Sequence, residues 1–246
     1  MTMALLEIDH VSKRFGGLQA INNVAFSVDP AEIVFLVGPN GAGKTTLFNL
    51  ITGVAHPDEG RIRFDGQDIT AITPNRAARI GLGRTFQIVK PIGSLTVLEN
   101  VMLGAFLHTS RTAKAAAEAQ VVLKYLQMDK VGHLMAAGLP LAMLKRLEIA
   151  RALATRPKLL LLDEVVAGLS TSEAMGLAEL LRKLPEQGVS AIGGVEHVMR
   201  VVMSLADRVV VLDHGTQIAE GTPQEIVRMP AVIEAYLGTK YRELEL

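Results

Sequence analysis

The chain has 246 residues and no formal net charge, because 25 Lys and Arg balance 25 Asp and Glu. This balance excludes a strongly basic nucleic-acid binder, and a hydrophobic content of 49% excludes an acidic disordered chain. Without cysteine, neither a disulfide framework nor a cysteine-based metal site can form. The longest nearly uncharged apolar stretch, 131–144, falls short of the about 20 residues that cross a bilayer. The N-terminus lacks the basic start of a signal peptide, so we expect a soluble, intracellular α/β protein.

The N-terminal part of the sequence has the pattern of short strands separated by turns rich in Gly, Asn, Asp and Pro. Apolar or alternating segments predict strands at residues 5–9, 24–28, 33–37 and 61–64. A helical stretch over residues 43–52 separates the last two of these strands. This order places a helix soon after a wholly apolar strand.

The middle of the chain, from about residue 71 to residue 137, has a mostly helical pattern. Thr96 and Glu99 form a capping box ahead of an apolar run, which predicts the start of a helix. Residues 113–127 are rich in alanine and predict a further helix. We therefore expect a helical insert in this region.

After Pro140 the pattern alternates between helices and strands. The predicted elements are helices at residues 141–154, 171–184 and 197–205 and strands at residues 158–162, 189–195 and 208–212. Such alternation implies a parallel sheet with helices on both faces. Thr222 and Glu225 form a second capping box with Pro223 at the first helical position, which opens a C-terminal helical tail.

A glycine-rich loop between the strand at 33–37 and the following helix matches the phosphate-binding pattern G-x-x-x-x-G-K-[ST]. Its residues, with the threonine that follows, are Gly38, Pro39, Asn40, Gly41, Ala42, Gly43, Lys44, Thr45 and Thr46. Glycines let the backbone turn its N–H groups inward around phosphates, and the helix N-terminus adds partial positive charge. Lys44 would reach the β- and γ-phosphates and Thr45 would place its hydroxyl on Mg²⁺. The alternative, a chance glycine-rich turn, does not explain why a strand and a helix flank the loop.

Two carboxylates follow the apolar run of residues 159–162. A strand buried on both faces has such a run, and charges are tolerated at its carboxyl end, where ligands bind in this class of sheet. Asp163 would hold Mg²⁺, directly or through water, and Glu164 would polarise an attacking water as a general base. The alternative for Glu164 is a surface residue at a strand terminus.

Taken together, these motifs resemble the ATP-binding subunits of ABC transporters over nearly the whole chain. Gln87, within Arg84-Thr85-Phe86-Gln87, is similar to the Q-loop glutamine, and residues 139–151 resemble the signature segment and its helix. Glu196-His197 resembles the switch histidine, and Phe15 lies where the family stacks an aromatic ring on adenine. The resemblance implies that Gln87 contacts Mg²⁺ and water, and that His197 contacts the γ-phosphate. Each residue alone has a plainer explanation: a loop glutamine, a helix-cap histidine and a core phenylalanine.

Within this family the chain is most similar to the ATPases of branched-chain amino acid importers. The resemblance is carried by residues 13–18, 84–89, 95–101, 167–169, 218–223 and 235–238. It implies an importer for branched-chain or related hydrophobic amino acids. Importers of urea, amides and other amino acids have closely similar ATPases, so they stay as alternatives.

The resemblance also implies an architecture and a set of partners. We expect an α/β fold: a P-loop ATPase core with a mostly parallel sheet, an antiparallel β subdomain and a helical insert. The core would comprise residues 1–86 and 140–222, the insert 87–139 and the helical tail 223–246. The cofactors would be ATP and Mg²⁺. The partners would be a paralogous ATPase subunit, preferred over a second copy, two membrane-spanning permease subunits and, indirectly, a solute-binding protein, at the cytoplasmic face of the inner membrane.

Several residues depart from the family pattern. The usual signature L-S-G-G-Q is replaced by residues 139–143, with Pro140 instead of the serine and Ala142 instead of a glycine. Val165 replaces the usual proline after Glu164, and Ser170 stands where an acidic or amide residue is usual. Gly193-Gly194 precedes the switch histidine, where it is either a packing feature or a flexible joint.

Two other classes of protein carry a phosphate-binding loop. A soluble ABC-type ATPase that acts on nucleic acid usually has long coiled-coil inserts, a second cassette or basic arms, none of which is present in this neutral sequence. A GTPase or kinase does not account for the pair Asp163-Glu164 and the downstream His197. The sequence therefore favours an importer ATPase that does not bind nucleic acid.

Overall fold

The computed structural model describes residues 3–85, 90–194 and 199–237. The strands within these ranges are β1 (Leu6–Phe15), β2 (Leu18–Val28), β3 (Ile33–Val37), β4 (Glu59–Phe64), β5 (Gln67–Asp68), β6 (Leu82–Arg84), β7 (Leu159–Asp163), β8 (Ser190–Gly194), β9 (Arg208–Asp213) and β10 (Thr216–Gly221). The helices are α1 (Lys44–Ile51), α2 (Pro74–Ile80), α3 (Val97–Ala105), α4 (Thr112–Tyr125), α5 (Leu141–Leu153), α6 (Thr171–Leu181), α7 (Met199–Leu205), α8 (Pro223–Ile226) and α9 (Pro230–Leu237).

The strands form two sheets. The first is antiparallel, with strand order β2-β1-β4-β5. The second has the order β10-β9-β3-β8-β7-β6, and all of its strands are parallel except the edge strand β10. The predicted α/β class, with a mostly parallel sheet and an antiparallel subdomain, is thereby confirmed.

The central parallel sheet separates two hydrophobic cores. Strands β3 and β7 are buried along their whole length, and their side chains alternate between the two faces because successive residues of a strand point to opposite sides. Phe35 and Leu160 pack with helices α3, α4, α5, α6 and α7 on one face. Leu36 and Leu161 pack with α1 and the antiparallel sheet on the other face. The phosphate-binding loop follows β3, so this doubly buried strand anchors it.

Gly193 in β8 has a packing explanation. A Cβ atom at this position would lie 2.5 Å from two ring carbons of Phe35 on the neighbouring strand β3. The absence of a side chain thus makes room for an aromatic ring at the centre of the sheet. This contact favours packing over a flexible joint at Gly193.

Helices α3 and α4 form the helical region, which begins with a well-defined cap. Thr96 accepts a hydrogen bond from the Glu99 backbone N–H, and the Glu99 carboxylate accepts one from the Thr96 backbone N–H, as the predicted capping box requires. The fully buried Asn100 donates to the carbonyl oxygens of Ile92, Leu95 and Thr96, which fixes the preceding loop. Helix α5 packs against both α3 and α4 and also contacts β6 and β7. It therefore joins the helical region to the strand that carries Asp163.

Three strands, β5, β6 and β10, were not predicted, and β5 has only two residues, which pair with β4. Strand β6 lies within the region predicted to be mostly helical. Its three residues are too few to show a periodic pattern in the sequence, and the strand is held by pairing with β7. Strand β10 is a largely polar edge strand, and the hairpin with β9 fixes it. Strands β1 and β2 extend beyond the predicted segments to meet at the turn of Gly16 and Gly17. Within residues 3–85, 90–194 and 199–237, no helix has the length and apolarity needed to cross a bilayer.

Candidate nucleotide-binding site

The phosphate-binding loop connects β3 to α1, as predicted. Its outer glycines are fixed by close approaches: a Cβ at Gly38 would lie 2.1 Å from the Leu212 carbonyl oxygen, and one at Gly43 would lie 2.6 Å from that of Ala20. Gly41, with φ 82°, has open space where a Cβ would be. The loop backbone is therefore closely packed at Gly38 and Gly43 and has free space at Gly41. Such a concave backbone fits a phosphate chain.

Lys44 is the first residue of α1 and lies against this loop. Its Nζ donates to the carbonyl oxygens of Gly38 and Pro39, both at 2.7 Å. Burial lowers the pKa of Lys44 below its usual value, and the nearby carboxylates of Glu164 and Asp163 oppose that shift. The fold thus brings the lysine of the loop and both acidic residues into one electrostatic environment.

Asp163 ends β7 as a buried residue with a cationic partner that sequence reasoning missed. Its Oδ2 accepts a hydrogen bond from Arg84 Nη2 at 3.2 Å, and both side chains are only 9% exposed. Burial raises the pKa of Asp163 above its ordinary value, whereas the Arg84 guanidinium opposes the shift. Arg84 also donates to Asn49 and Thr52 and lies over the Phe48 ring. The sequence has no motif that predicts the pairing of Arg84 with Asp163, which depends on the position of β6 beside β7.

Glu164 lies in the same cleft as the phosphate-binding loop. This cleft of about 440 Å³ has room for part of a nucleotide. Of the predicted residues, its lining includes Phe15, Asn40, Gly41, Gly43, Lys44, Thr45, Thr46 and Glu164. Leu18, Gln19, Ala20 and His214 also line it, and sequence reasoning did not find them because they have no motif of their own.

Phe15 lies at the mouth of the cleft. It ends β1 at the hairpin turn and is 51% exposed. Lys13 Nζ lies 5.5 Å from the centre of its ring. An exposed ring beside the phosphate-binding loop is free to stack on a base.

The predicted site residues Ala42, Gln87 and His197 are not among the described residues that line the cleft. Ala42 is buried behind the loop, at 1% exposure, so it supports the backbone rather than facing the cleft. Gln87 and His197 lie outside the described residues, and their roles remain predictions. No cluster of three or more His, Cys, Asp or Glu suited to a metal occurs in the described ranges. The hydroxyl of Thr45 and the carboxylate of Asp163 are nevertheless oxygen donors of the kind that Mg²⁺ prefers with phosphate oxygens.

The unusual signature residues begin α5. Pro140 is the N-cap residue, and its carbonyl oxygen accepts hydrogen bonds from the backbone N–H groups of Met143 and Leu144, both at 3.0 Å. Ser170 is the N-cap of α6 and forms a capping box with Glu173. Both departures are thus compatible with regular helix starts, but Pro140 offers no hydroxyl at this point.

Comparisons with known proteins agree with this geometry. The family model described as "ABC transporter" matches residues 21–167, and that described as "Branched-chain amino acid ATP-binding cassette transporter" matches residues 216–242. The chain is 38% identical to the high-affinity branched-chain amino acid transport ATP-binding protein BraF of Pseudomonas aeruginosa, over 97% of this chain and 99% of the relative. It is 39% identical to the corresponding protein LivG of Escherichia coli K12, with the same coverage.

Solved structures give the same result. A nucleotide-free ATP-binding cassette from an ABC transporter superposes with a TM-score of 0.87 at 30% identity, over 95% of this chain and 99% of that one. An ATP-binding cassette of an ABC transporter in its ADP conformation superposes with a TM-score of 0.88 at 31% identity, over 96% and 100%.

Proposed function

This chain belongs to the ATP-binding subunits of ABC transporters, and on that premise we propose that it energises the import of branched-chain or related hydrophobic amino acids. Two relatives named for branched-chain amino acid transport match it over nearly their whole length. The match of residues 216–242 to the branched-chain amino acid model supports the same solute class. Urea, amides and other amino acids are the competing solutes.

The observation that carries the catalytic part of the proposal is the single cleft shared by the phosphate-binding loop and Glu164. The loop amides and Lys44 would hold the phosphates, Phe15 would stack on adenine, and Thr45, Gln87 and Asp163 would hold Mg²⁺. The metal, when bound, would neutralise charge on the phosphate oxygens. Lys44 would exchange its bonds to the carbonyl oxygens of Gly38 and Pro39 for bonds to phosphate.

Glu164 is the general base in this proposal. It would accept a proton from the attacking water, whose oxygen bonds to the γ-phosphorus as the bond from that phosphorus to the bridging oxygen breaks. Lys44 and the loop amides would stabilise the charge on the transferred group. Gln87 would orient the water and His197 would contact the γ-phosphate.

We assign the permease contact to a groove between the core and the helical region. The groove has a volume of about 350 Å³ and lies between α2 and β6 on one side and α3 and α5 on the other. Val54 and Leu103 are 57% and 41% exposed at its lining. None of the described residues 90–98 lines this groove. A short helix from a membrane subunit would fit here, and the chain would then work at the cytoplasmic face of the membrane.

Reconstitution tests the whole proposal. The chain, tagged and purified with its permease subunits, its ATPase partner and the solute-binding protein, would be placed in proteoliposomes, and uptake of radiolabelled leucine would be measured. We expect ATP-dependent uptake in the parent and none with Lys44→Ala. Unlabelled isoleucine and valine should compete, whereas urea and acetamide should not. Uptake of urea or acetamide without uptake of leucine would contradict the solute assignment and leave the ATPase assignment intact.

A further inference from the structure

Lys145 is a buried cation in the first half of α5. It is 4% exposed, and its Nζ donates to the backbone carbonyl oxygen of Glu164 at 2.8 Å. Burying an ammonium group is costly unless its hydrogen-bond donors are satisfied. The position of this side chain is therefore tied to the main chain of the proposed catalytic base.

The backbone at Glu164 needs such support. Its φ of 49° lies in the left-handed region, which residues with a Cβ adopt uncommonly and which neighbouring structure must hold in place. The same carbonyl oxygen accepts a hydrogen bond from the Ala167 backbone N–H at 3.2 Å. Lys145 and the turn that begins at Glu164 thus share one acceptor, so the lysine fixes the direction of this peptide group.

Helix α5 touches the same turn at a second point. A Cβ at Gly168 would lie 3.0 Å from Leu141 Cδ2, so the turn packs closely against the first residue of the helix. The start of α5 is also the signature segment, with Pro140 as its N-cap. One helix therefore connects the signature segment to both ends of the turn that carries the base.

We propose that Lys145 is a positioning residue for Glu164, through which α5 joins the signature segment to the catalytic base of the same chain. The inference rests on the proposed role of Glu164. Lys145 acts by orienting the Glu164 peptide, so its loss changes the rate of the chemical step and leaves the phosphate-binding loop untouched. A residue that only supports the fold would not separate these two effects.

The first test replaces Lys145 by methionine, which keeps most of the length and the apolar stem. We expect Lys145→Met, assembled with the subunits that co-purify with the parent, to lower kcat for ATP hydrolysis at least about tenfold, the range for a lost hydrogen bond to a charged group. KM for ATP should stay within about twofold. Arg182→Met is the matched control, because it also removes a cation that donates to backbone carbonyls, those of Ser204 and Leu205.

The second test restores the ammonium group chemically. The sequence contains no cysteine, so Lys145→Cys provides a single thiol that can be alkylated in urea with bromoethylamine and refolded. Aminoethylation rebuilds a side chain of nearly the length of lysine, whereas iodoacetamide adds a neutral group. The parent is taken through the same unfolding and refolding. We expect the aminoethylated protein to recover kcat and the carbamidomethylated protein to stay low.

The outcomes separate the inference from its premise. Normal kcat in Lys145→Met, or equal kcat with the charged and the neutral adduct, would overturn the positioning role. If Lys145→Met does not fold, the two adducts decide alone. Glu164→Gln is measured alongside: full turnover in that variant would remove Glu164 as the base, whereas lost turnover there with normal Lys145→Met would overturn only the role of Lys145.

Discussion

Arg84 connects several parts of the site. From its place in β6 it reaches Asp163 at the end of β7 and Asn49 and Thr52 in and after α1. A buried ion pair adds little net stability, but removal of one partner leaves an uncompensated buried charge. Arg84 therefore matters mainly because Asp163 cannot be left alone.

We predict that Arg84→Met lowers the free energy of unfolding by about 3–5 kcal/mol, the cost of breaking a buried pair. Urea denaturation of the purified chain measures this change. Arg63→Met is the matched control, because its pair with Glu7 is exposed at 44% and 37% and 3.5 Å long, and exposed pairs contribute about 0–1 kcal/mol. Adding Asp163→Asn to Arg84→Met should recover part of the loss. Equal effects of the two arginine variants would contradict the prediction.

At the level of elements, helix starts were the most predictable features. The capping boxes of Thr96 and Thr222 were identified from sequence, and both form with reciprocal bonds. Ser170 was seen only as a departure from the family pattern. The structure gives it a physical role as the N-cap of α6. Ser, Asp and Asn are all good N-cap residues, which explains why serine can replace an acidic or amide residue here.

Ser170→Ala should lower the free energy of unfolding by about 1 kcal/mol, because the backbone N–H of Glu173 loses its acceptor. Ser170→Asp should stay within about 0.5 kcal/mol of the parent, since aspartate caps equally well. Thr171→Ala, one residue further and exposed, is the control. Thermal and urea denaturation of all three variants provide the measurement, and a stable Ser170→Ala with an unstable Ser170→Asp would refute the cap.

Local sequence patterns predicted most elements, because those elements are determined by residues that are close together in the sequence. The strand run at 159–162, the loop at 38–45 and the capping boxes are of this kind. Strand β6, the Arg84–Asp163 pair and the Lys145–Glu164 contact depend on segments between 19 and 79 residues apart. No period or local motif encodes such contacts, so the phosphate-binding loop could be predicted from sequence and the residues that support the two carboxylates could not.

For the whole molecule, we expect the signature segment to favour a mixed dimer of this chain with a paralogue over a dimer of two copies. If two such chains pair head to tail, as we propose, each ATP would lie between the phosphate-binding loop of one chain and the signature of the other. Pro140 presents no hydroxyl, and Ala142 adds a methyl group. The loss of a hydrogen bond from that hydroxyl to a charged phosphate would cost on the order of 1.5–3 kcal/mol. Two copies of this chain would carry that defect at both sites, whereas a pair with a paralogue would carry it at one.

We therefore predict weak ATPase activity for the purified chain and activation by about tenfold or more when a paralogue with an ordinary signature is added. Pro140→Ser combined with Ala142→Gly should raise the activity of the chain alone. Turnover measured over a range of chain concentrations, with and without the paralogue, tests both statements. Full cooperative turnover by the chain alone, unchanged in the double variant, would mean that the amides at the start of α5 suffice for phosphate binding.

The contact between Gly193 and Phe35 restricts how this sheet can change during evolution. A methyl group at position 193 would meet the rigid ring at 2.5 Å, so the glycine is replaceable only after the aromatic residue has become smaller. The reverse order passes through an overpacked intermediate, and overpacking costs about 1–3 kcal/mol. The two positions therefore form a pair with a fixed order of substitution: a lineage that keeps the ring also keeps the glycine, one strand away from the loop that binds phosphate.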